Sequence, residues 1–449
     1  MNFGKPGWFD RYLAFRRETP LPRTLPTAGV VLFERAGLHN EQDQAIYAFL
    51  QSTGLLYGFP INSPLPELAY PDQRYLDDAG RVHLIWLDAL FACLVADRQY
   101  LLAGVRDESD PFGHALRAMA YFFHNADLEP ATPLGTWTAR VRKAVERLPI
   151  GRNRPRHPEF ERAISRRIRS GGDMLHMPEY AYNGFLFLDL YYCMAWQRAT
   201  VQQPARRQAH LETLRAQQRQ VRDTLLRLLI AAAHSSGDVD DLERRVFDRF
   251  LVSARLARAE RETFTAAMAQ GLTLDQIAIP EAPWLVRRHL LDLTLMLILA
   301  DRQFAASEQA FAAELVRRLG LWEEELEQSQ VALEAFLVAN ERTLHFLRGR
   351  THMQALAERL ANRVQSAVRK NLDRIVNEIR ETQELYELLV KSSSQELTAE
   401  EKRKVRLQLL DILKTVPTLA IAAMPGGSVI LPVLIRLLPF NLLPTSFED

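Results

Sequence analysis

Long runs of apolar residues with helix-forming neighbours recur along the chain and determine its predicted fold. The longest of these runs cover residues 84–96, 115–123, 185–196 and 221–233. No stretch shows the sustained apolar–polar alternation, rich in β-branched side chains, that is typical of strands. Glycine is scarce, at 20 of 449 residues, which leaves few turns and favours long helices. We therefore predict an all-α protein built from multi-helix bundles.

The length of the chain and the changes in its pattern predict three domains. A chain of 449 residues exceeds what a single core usually supports. We place an N-terminal helical domain at 1–205, a second helical domain at 206–345 and a third at 346–449. Near the start lies a short apolar stripe, for which we expect packing on the first domain, with lipid contact as the alternative. Its residues are Trp8, Phe9, Tyr12, Leu13 and Phe15.

A segment of the first domain returns 204 residues later in the second. Leu87-Asp88 and Ala96-Asp97-Arg98-Gln99-Tyr100 correspond to Leu291-Asp292 and Ala300-Asp301-Arg302-Gln303-Phe304. A third related segment ends at Glu243 and matches the one that ends at Glu308. In this pattern a buried helix ends in a tight acidic turn, and the next helix opens with Glu near its N-terminus, where the helix dipole favours negative charge. A repeated helical hairpin fits an all-α stack better than one catalytic pocket.

Two of these segments resemble the TerB-like domain of the tellurite-resistance family, over about 221–336. They are Ala231-Ala-Ala-His-Ser-Ser-Gly-Asp-Val-Asp-Asp-Leu-Glu243 and Leu299-Ala-Asp-Arg-Gln-Phe-Ala-Ala-Ser-Glu308. The sequence departs from the family pattern at Ser236, where Asp is expected, and at Arg302, where Gly is expected. The resemblance implies a duplicated helical domain with an acidic cluster at Glu243, Asp301 and Glu308, which are candidate ligands for a divalent cation. Helix capping and structural ion pairs are the favoured roles for these carboxylates, with metal binding as the alternative, and no other cofactor is expected.

The third domain is predicted to open with a long helix. Apolar residues recur at spacings of three and four from Met353 to Leu389, which predicts one helix of about 37 residues whose stripe serves packing or a coiled-coil seam. After the break at residues 392–394, Thr398 and Glu401 have the spacing of a capping box, which predicts the start of a further helix.

Residues 416–435 carry no charge and are long enough to cross a bilayer core roughly 30 Å thick. Their three prolines disfavour a straight helix, so we expect two short helices in an interfacial or re-entrant hairpin. One spanning helix and packing within the protein's own core are the alternatives. The residues expected to meet the membrane are Val416, Pro417, Leu419, Pro425, Gly426, Gly427, Ile430, Leu431, Pro432, Leu434, Ile435, Pro439 and Phe440.

The same region resembles the membrane segment of the LETM family, the leucine-zipper, EF-hand transmembrane proteins of mitochondria and their bacterial relatives. The matching stretches are Leu397-Thr-Ala-Glu-Glu-Lys, Asp411-Ile-Leu-Lys-Thr-Val-Pro417, Leu431-Pro and Leu437-Leu-Pro-Phe-Asn-Leu-Leu-Pro-Thr-Ser-Phe447. The resemblance implies membrane attachment, the ribosome as a partner, and a role in cation–proton exchange or membrane-protein biogenesis. The chain ends directly after this segment, and it contains no EF-hand loop of the Asp-x-Asp-x-Asp-Gly kind.

Charge is balanced overall at +1 but is locally concentrated. Between residues 140 and 169 there are eleven basic and three acidic residues, giving 11 − 3 = +8. The default interpretation of such a patch is a solvated face; as a binding surface it suits anionic lipid head groups first and RNA phosphates second, and DNA is not expected. The arginines that carry the prediction are Arg152, Arg154, Arg156, Arg162, Arg166, Arg167 and Arg169.

No nucleotide-binding loop, metalloprotease motif or nucleophile elbow is present, so we expect a non-catalytic protein. The N-terminus lacks the features of a signal peptide, which predicts a cytoplasmic protein or one on the cytoplasmic face of the inner membrane. The leading hypothesis is a membrane-associated helical adaptor in ion homeostasis or envelope stress, with membrane lipid and proteins as partners. A soluble scaffold or ribosome-associated binding protein is the alternative, and a component of a cation–proton transport system is the third.

Overall fold

A computed structural model of the chain describes residues 5–25, 41–62, 78–102, 111–124, 158–168, 183–237, 239–299, 306–340, 350–392, 395–413, 415–416 and 419. Within these ranges there are sixteen α-helices and no strand, which confirms the all-α prediction. The four long apolar runs that predicted helices fall on helices in the structure, with only Phe185 lying one residue before its helix.

The chain divides into two compact units. Unit 1 comprises Met1–Ala28, Phe49–Leu226 and Asp248–Phe264, and unit 2 comprises Gly29–Ala48, Arg227–Phe247 and Thr265–Asp449. The expected domain boundaries at 205 and 345 do not coincide with a change of unit. Residues 207–226 belong to the same unit as the helices before them, and the helices on both sides of 345 share one core, as described below.

The first nine helices, in chain order, are α1 (Trp8–Glu18), α2 (Glu41–Thr53), α3 (Asp78–Leu102), α4 (Pro111–His124), α5 (Pro158–Ile168), α6 (Leu186–Gln202), α7 (Arg207–Ala233), α8 (Asp241–Ser253) and α9 (Arg258–Gln270). In unit 1, α3 packs on α4 and α6, and α4 also packs on α5 and α6. The middle of α3 and most of α6 are apolar on every side, and almost all of these residues are buried, as expected of helices at the centre of a bundle.

The N-terminal apolar stripe packs within unit 1, as predicted, because four of its five residues are buried (Trp8, Phe9, Tyr12 and Leu13). Glu161 of α5 holds the start of α1. Its carboxylate accepts hydrogen bonds from the backbone N–H groups of Gly7, at 2.9 Å, and Phe9, at 2.8 Å. A carboxylate at this end satisfies donors that have no partner inside the helix, and it complements the helix dipole.

The remaining helices are α10 (Trp284–Ile298), α11 (Ala306–Arg318), α12 (Glu323–Ala339), α13 (Arg350–Lys370), α14 (Leu372–Glu381), α15 (Gln383–Ser392) and α16 (Ala399–Leu413). The apolar stripe of α13 to α16 packs with Val331 and Ala335 of α12 into one hydrophobic core of unit 2. The stripe therefore serves intramolecular packing, one of the two roles predicted for it.

The single long helix expected over 353–389 is instead three helices, α13, α14 and α15. Asn371 ends α13, and its side-chain Nδ2 donates to the carbonyl of Ala367 at 2.8 Å. Thr382 ends α14, and its hydroxyl donates to the carbonyl of Glu378 at 2.9 Å. Asn and Thr side chains compete with the backbone for helix carbonyls, which explains why the helix stops at these polar residues while the apolar stripe continues.

The predicted capping box at the start of α16 is confirmed. The Thr398 N–H donates to Glu401 Oε2 at 2.9 Å, and the Glu401 N–H donates to Thr398 Oγ1 at 3.3 Å. Beyond α16, Val416 and Leu419 are buried in the core of unit 2. None of the helices in the described ranges combines the length and the apolar content needed to cross a bilayer.

Candidate functional site

A cavity of about 530 Å³ in unit 1 is lined by arginines from three parts of the chain. Its walls come from α4 and α5, from α6 and α7, and from the turn between α8 and α9. The basic residues in the lining are His124, Arg166, Arg167, Arg215, Arg219, Arg222 and Arg255. Asp189 is the single carboxylate among the residues that line it.

Helix α7 contributes three of these arginines because of their spacing. Arg215, Arg219 and Arg222 follow one another at intervals of four and three, which places them on one face of the helix. Arg215 Nη2 donates to the carbonyl of Phe122 at 2.7 Å. Arg222 is paired with Asp223, at 2.7 Å, and reaches the carboxylate of Glu260 at 3.4 Å.

Asp189 of α6 binds side chains of both α5 and α7 at the cavity. Its Oδ1 accepts hydrogen bonds from Arg167 Nη1, at 3.0 Å, and from Gln218 Nε2, at 2.8 Å. The carboxylate is almost completely buried, whereas Arg167 is about one-third exposed. Asn183 fixes the backbone nearby, since its Nδ2 donates to the carbonyl of Arg167 at 3.0 Å. These bonds hold the Arg167 guanidinium in a set position at the edge of the cavity.

Arg255 has a backbone conformation that is rare for a residue with a side chain. Its φ is 53°, and it is the one non-glycine residue with positive φ in the described part of the chain. A left-handed conformation costs an L-residue roughly 1–2 kcal/mol, and such outliers cluster at functional sites. The turn that contains Arg255 lies between α8 and α9, and it places this arginine at the cavity.

Positive charge in the cavity is only partly compensated. Burial lowers the pKa of Arg255 to about 10, with Arg167 and Arg166 adding to the shift and Asp189 opposing it. Burial also lowers the pKa of Arg215, and the charges of Arg167 and Arg219 add to this effect. Guanidinium groups stay protonated in proteins at neutral pH, so the cavity holds like charges that an anion would stabilise.

Three of the seven arginines of the predicted patch lie in the described ranges. Arg166 and Arg167 line the cavity. Arg162 is exposed on α5, where its Nε donates to the carbonyl of Pro158 at 3.2 Å. The other four, Arg152, Arg154, Arg156 and Arg169, lie outside the described residues. The arginines of α7 and Arg255 were not part of the prediction, although the spacing of the α7 arginines was a readable signal.

The predicted metal ligands are described only in part. Glu243 is buried near the start of α8, where its Oε2 accepts from the N–H of Asp240 at 3.0 Å. Asp240 Oδ1 in turn accepts from the N–H of Glu243 at 2.7 Å, which is capping-box geometry. Glu308 is buried in α11, and Asp301 lies outside the described residues. No group of three His, Cys, Asp or Glu side chains suited to a metal ion occurs among the described residues.

Asp97, the counterpart of Asp301 in the repeat, is described. It is buried and forms an ion pair with Arg198 at 2.7 Å. The predicted membrane residues Val416 and Leu419 are buried in unit 2, and the others, from Pro417 to Phe440, lie outside the described residues.

Comparison with known proteins gives one partial match. Residues 162–331 are similar to a family whose model is described as "Protein of unknown function (DUF533)". The matched range contains all six arginines of the cavity and both segments that resemble TerB-like domains. No curated protein and no solved structure matches the chain.

Proposed function

We propose that this protein is a non-catalytic helical adaptor that docks on anionic membrane surfaces, on the cytoplasmic side of the inner membrane. The observation that carries the proposal is the arginine cavity of unit 1, in which six arginines face one carboxylate. Guanidinium groups bind phosphate oxygens through two parallel hydrogen bonds, which makes clustered arginines well suited to phosphate-bearing head groups.

Lipid is favoured over RNA as the source of these phosphates. RNA recognition relies on bases that stack on accessible aromatic rings. The aromatic residues of the cavity lining, Phe123 and Phe185, are each 8% exposed, so their faces are largely covered by the protein. A basic pocket without stacking surfaces fits a phosphate-bearing head group better than a nucleic-acid strand.

A second candidate function is a soluble scaffold, and one observation favours it. Val416 and Leu419, the first two residues expected to meet the membrane, pack in the core of unit 2. If the apolar stretch continues into that core, the protein binds partners without inserting into a bilayer. Roles in ion homeostasis, envelope stress or ribosome binding rest on the LETM and TerB resemblances and are proposed on that basis alone.

Flotation of the full chain with vesicles tests the proposal. We expect binding to vesicles of phosphatidylcholine with phosphatidylglycerol, loss of that binding at high salt, and no binding to pure phosphatidylcholine. If the protein stays on the vesicles after both high salt and a carbonate wash, the C-terminal stretch inserts into the bilayer. If the chain floats with neither type of vesicle, membrane docking is contradicted and the soluble scaffold is favoured.

A further inference from the structure

The arginines of the cavity fall into two groups that lie on different elements. Arg215 and Arg219 stand on α7, and Arg166 stands on α5. None of these three has a carboxylate partner among the described residues: Arg215 donates to a backbone carbonyl, and Arg166 Nε donates to the carbonyl of Arg162 at 3.2 Å. Among the described residues, guanidinium groups without a carboxylate partner therefore reach the same cavity from two helices.

The net positive charge of the cavity lining indicates how much negative charge a bound ligand carries. Six arginines and Asp189 give 6 − 1 = +5 for the lining. Asp223 and Glu260 pair with Arg222 from outside the lining, and counting both leaves 5 − 2 = +3 for the described carboxylates and arginines. One phosphate group carries about −1.5 to −2 at neutral pH, so two groups, at about −3 to −4, match this balance and one does not.

The size of the cavity leads to the same conclusion. Its volume of about 530 Å³ lies within the range of roughly 300–1,000 Å³ that is typical of small-molecule sites. A single inorganic phosphate fills only a small part of such a space. A ligand with two phosphate groups fills more of it and presents oxygens to arginines from more than one element.

We infer that the cavity is a receptor for a ligand with two phosphate groups, one bound beside Arg215 and Arg219 and the other beside Arg166 and Arg255. This inference rests on the anion-binding role proposed for the same cavity. Asp189 acts as a positioning residue, because its carboxylate fixes Arg167 and Gln218 at the edge of the cavity. The two phosphates belong either to a free metabolite or to a lipid head group that carries two of them.

Calorimetric titration of the full chain with inorganic pyrophosphate, and with inorganic phosphate at equal ionic strength, tests the inference. We expect pyrophosphate to bind at least about tenfold more tightly, since it engages both groups of arginines. Arg166→Gln and Arg219→Gln are each expected to weaken pyrophosphate binding by about tenfold. Both side chains lie at the surface and lack carboxylate partners among the described residues, so neither substitution is expected to disturb folding.

Arg258→Gln is the matched control. Arg258 lies in the same unit on α9, its side chain is 93% exposed, and it does not line the cavity. Its loss is expected to leave pyrophosphate binding unchanged. Equal affinity for phosphate and pyrophosphate, or an equal loss of binding in the control, would overturn the inference.

Vesicles distinguish the two sources of the phosphates. If the ligand is a lipid, the chain binds vesicles of phosphatidylcholine with a polyprenyl diphosphate, whose head group is itself a pyrophosphate, more tightly than vesicles with the same charge from phosphatidylglycerol, and pyrophosphate releases it. If the ligand is a free metabolite, pyrophosphate binds in solution and leaves vesicle binding unaffected, a result that would uphold the inference and contradict the cavity as the site of membrane docking. Binding to anionic vesicles without any pyrophosphate binding would overturn the inference and leave membrane docking standing. Pyrophosphate binding without vesicle binding would support the inference and contradict membrane docking.

Discussion

Asp88 and Asp292, which occupy matching positions in the repeated segments, each accept a hydrogen bond from a buried tyrosine hydroxyl. In unit 1 the hydroxyl of Tyr12 lies 2.9 Å from Asp88 Oδ1. In unit 2 the hydroxyl of Tyr47 lies 2.8 Å from Asp292 Oδ2. The repeat therefore keeps a buried polar contact as well as an apolar pattern. Because both carboxylates are enclosed and bonded within their own units, we assign them to stability rather than to ligand binding.

The Asp88 site gives the first prediction. Arg16 forms an ion pair with Asp88, and both side chains are buried. Arg16→Met leaves the carboxylate without its cation, which is expected to cost about 3–5 kcal/mol of the free energy of unfolding. The double variant Arg16→Met/Asp88→Asn removes both charges and is expected to lose clearly less. Urea unfolding monitored by circular dichroism measures the free energy of unfolding of both variants. Equal losses in the single and the double variant would show that the ion pair is not the cause.

The Tyr47 hydroxyl gives the second prediction. It donates to Asp292 and accepts from Arg288 Nη2 at 3.1 Å, and burial raises the pKa of Tyr47 well above its ordinary value, so the proton that it donates is retained. Tyr47→Phe is expected to lower the free energy of unfolding by about 1–3 kcal/mol, because Asp292 and Arg288 each lose one buried hydrogen bond. Tyr386→Phe on α15 is the control, since that side chain is 41% exposed and its change is expected to stay within about 0.5 kcal/mol. Similar losses in both variants would refute the role of the buried contact.

The helices were predictable from the sequence wherever one local pattern determines the outcome. Apolar runs located α3, α4, α6 and α7, and Thr398 with Glu401 located the start of α16. The division of the long C-terminal stretch was not predictable, because the apolar stripe continues through Asn371 and Thr382 while only side-chain bonds to the backbone end the helices. The cavity was predictable only in part. The spacing of the arginines along α7 is visible in the sequence, but the packing that brings α7 next to α5 and Arg255 is a tertiary property that the local pattern does not contain.

The capping box of α16 gives a prediction of pH dependence. Hydrogen bonds from the Lys391 side chain and the Thr398 backbone lower the pKa of Glu401 from 4.5 to about 2. A carboxyl group with a lowered pKa in the folded state contributes stability above its unfolded pKa, and this contribution disappears as the pH falls through the folded value. We therefore expect the difference in free energy of unfolding between the natural chain and Glu401→Gln to be largest at neutral pH. It should decrease as the pH falls from about 4.5 to about 2.

Thermal unfolding over this pH range measures that difference. Glu400→Gln is the control, because it removes the same charge from the same helix terminus one residue earlier. A difference for Glu401→Gln that stays constant down to pH values near 2 would rule out the pairing as its source.

The strained conformation of Arg255 gives the last prediction, in which stability and binding move in opposite directions. Asn tolerates the left-handed conformation better than Arg does, so Arg255→Asn relieves part of a strain of roughly 1–2 kcal/mol. The substitution also removes a positive charge that the folded protein disfavours. Burial lowers the pKa of Arg255 to about 10, the nearby charges of Arg167 and Arg166 add to this shift, and the side chain is still charged at neutral pH. We expect the free energy of unfolding to rise by about 1 kcal/mol and pyrophosphate affinity to fall about tenfold. A residue that serves packing shows the opposite pattern, with stability lost and binding retained. Measuring both quantities on one variant, beside Arg258→Gln, therefore tests whether the strain at Arg255 is maintained for anion binding.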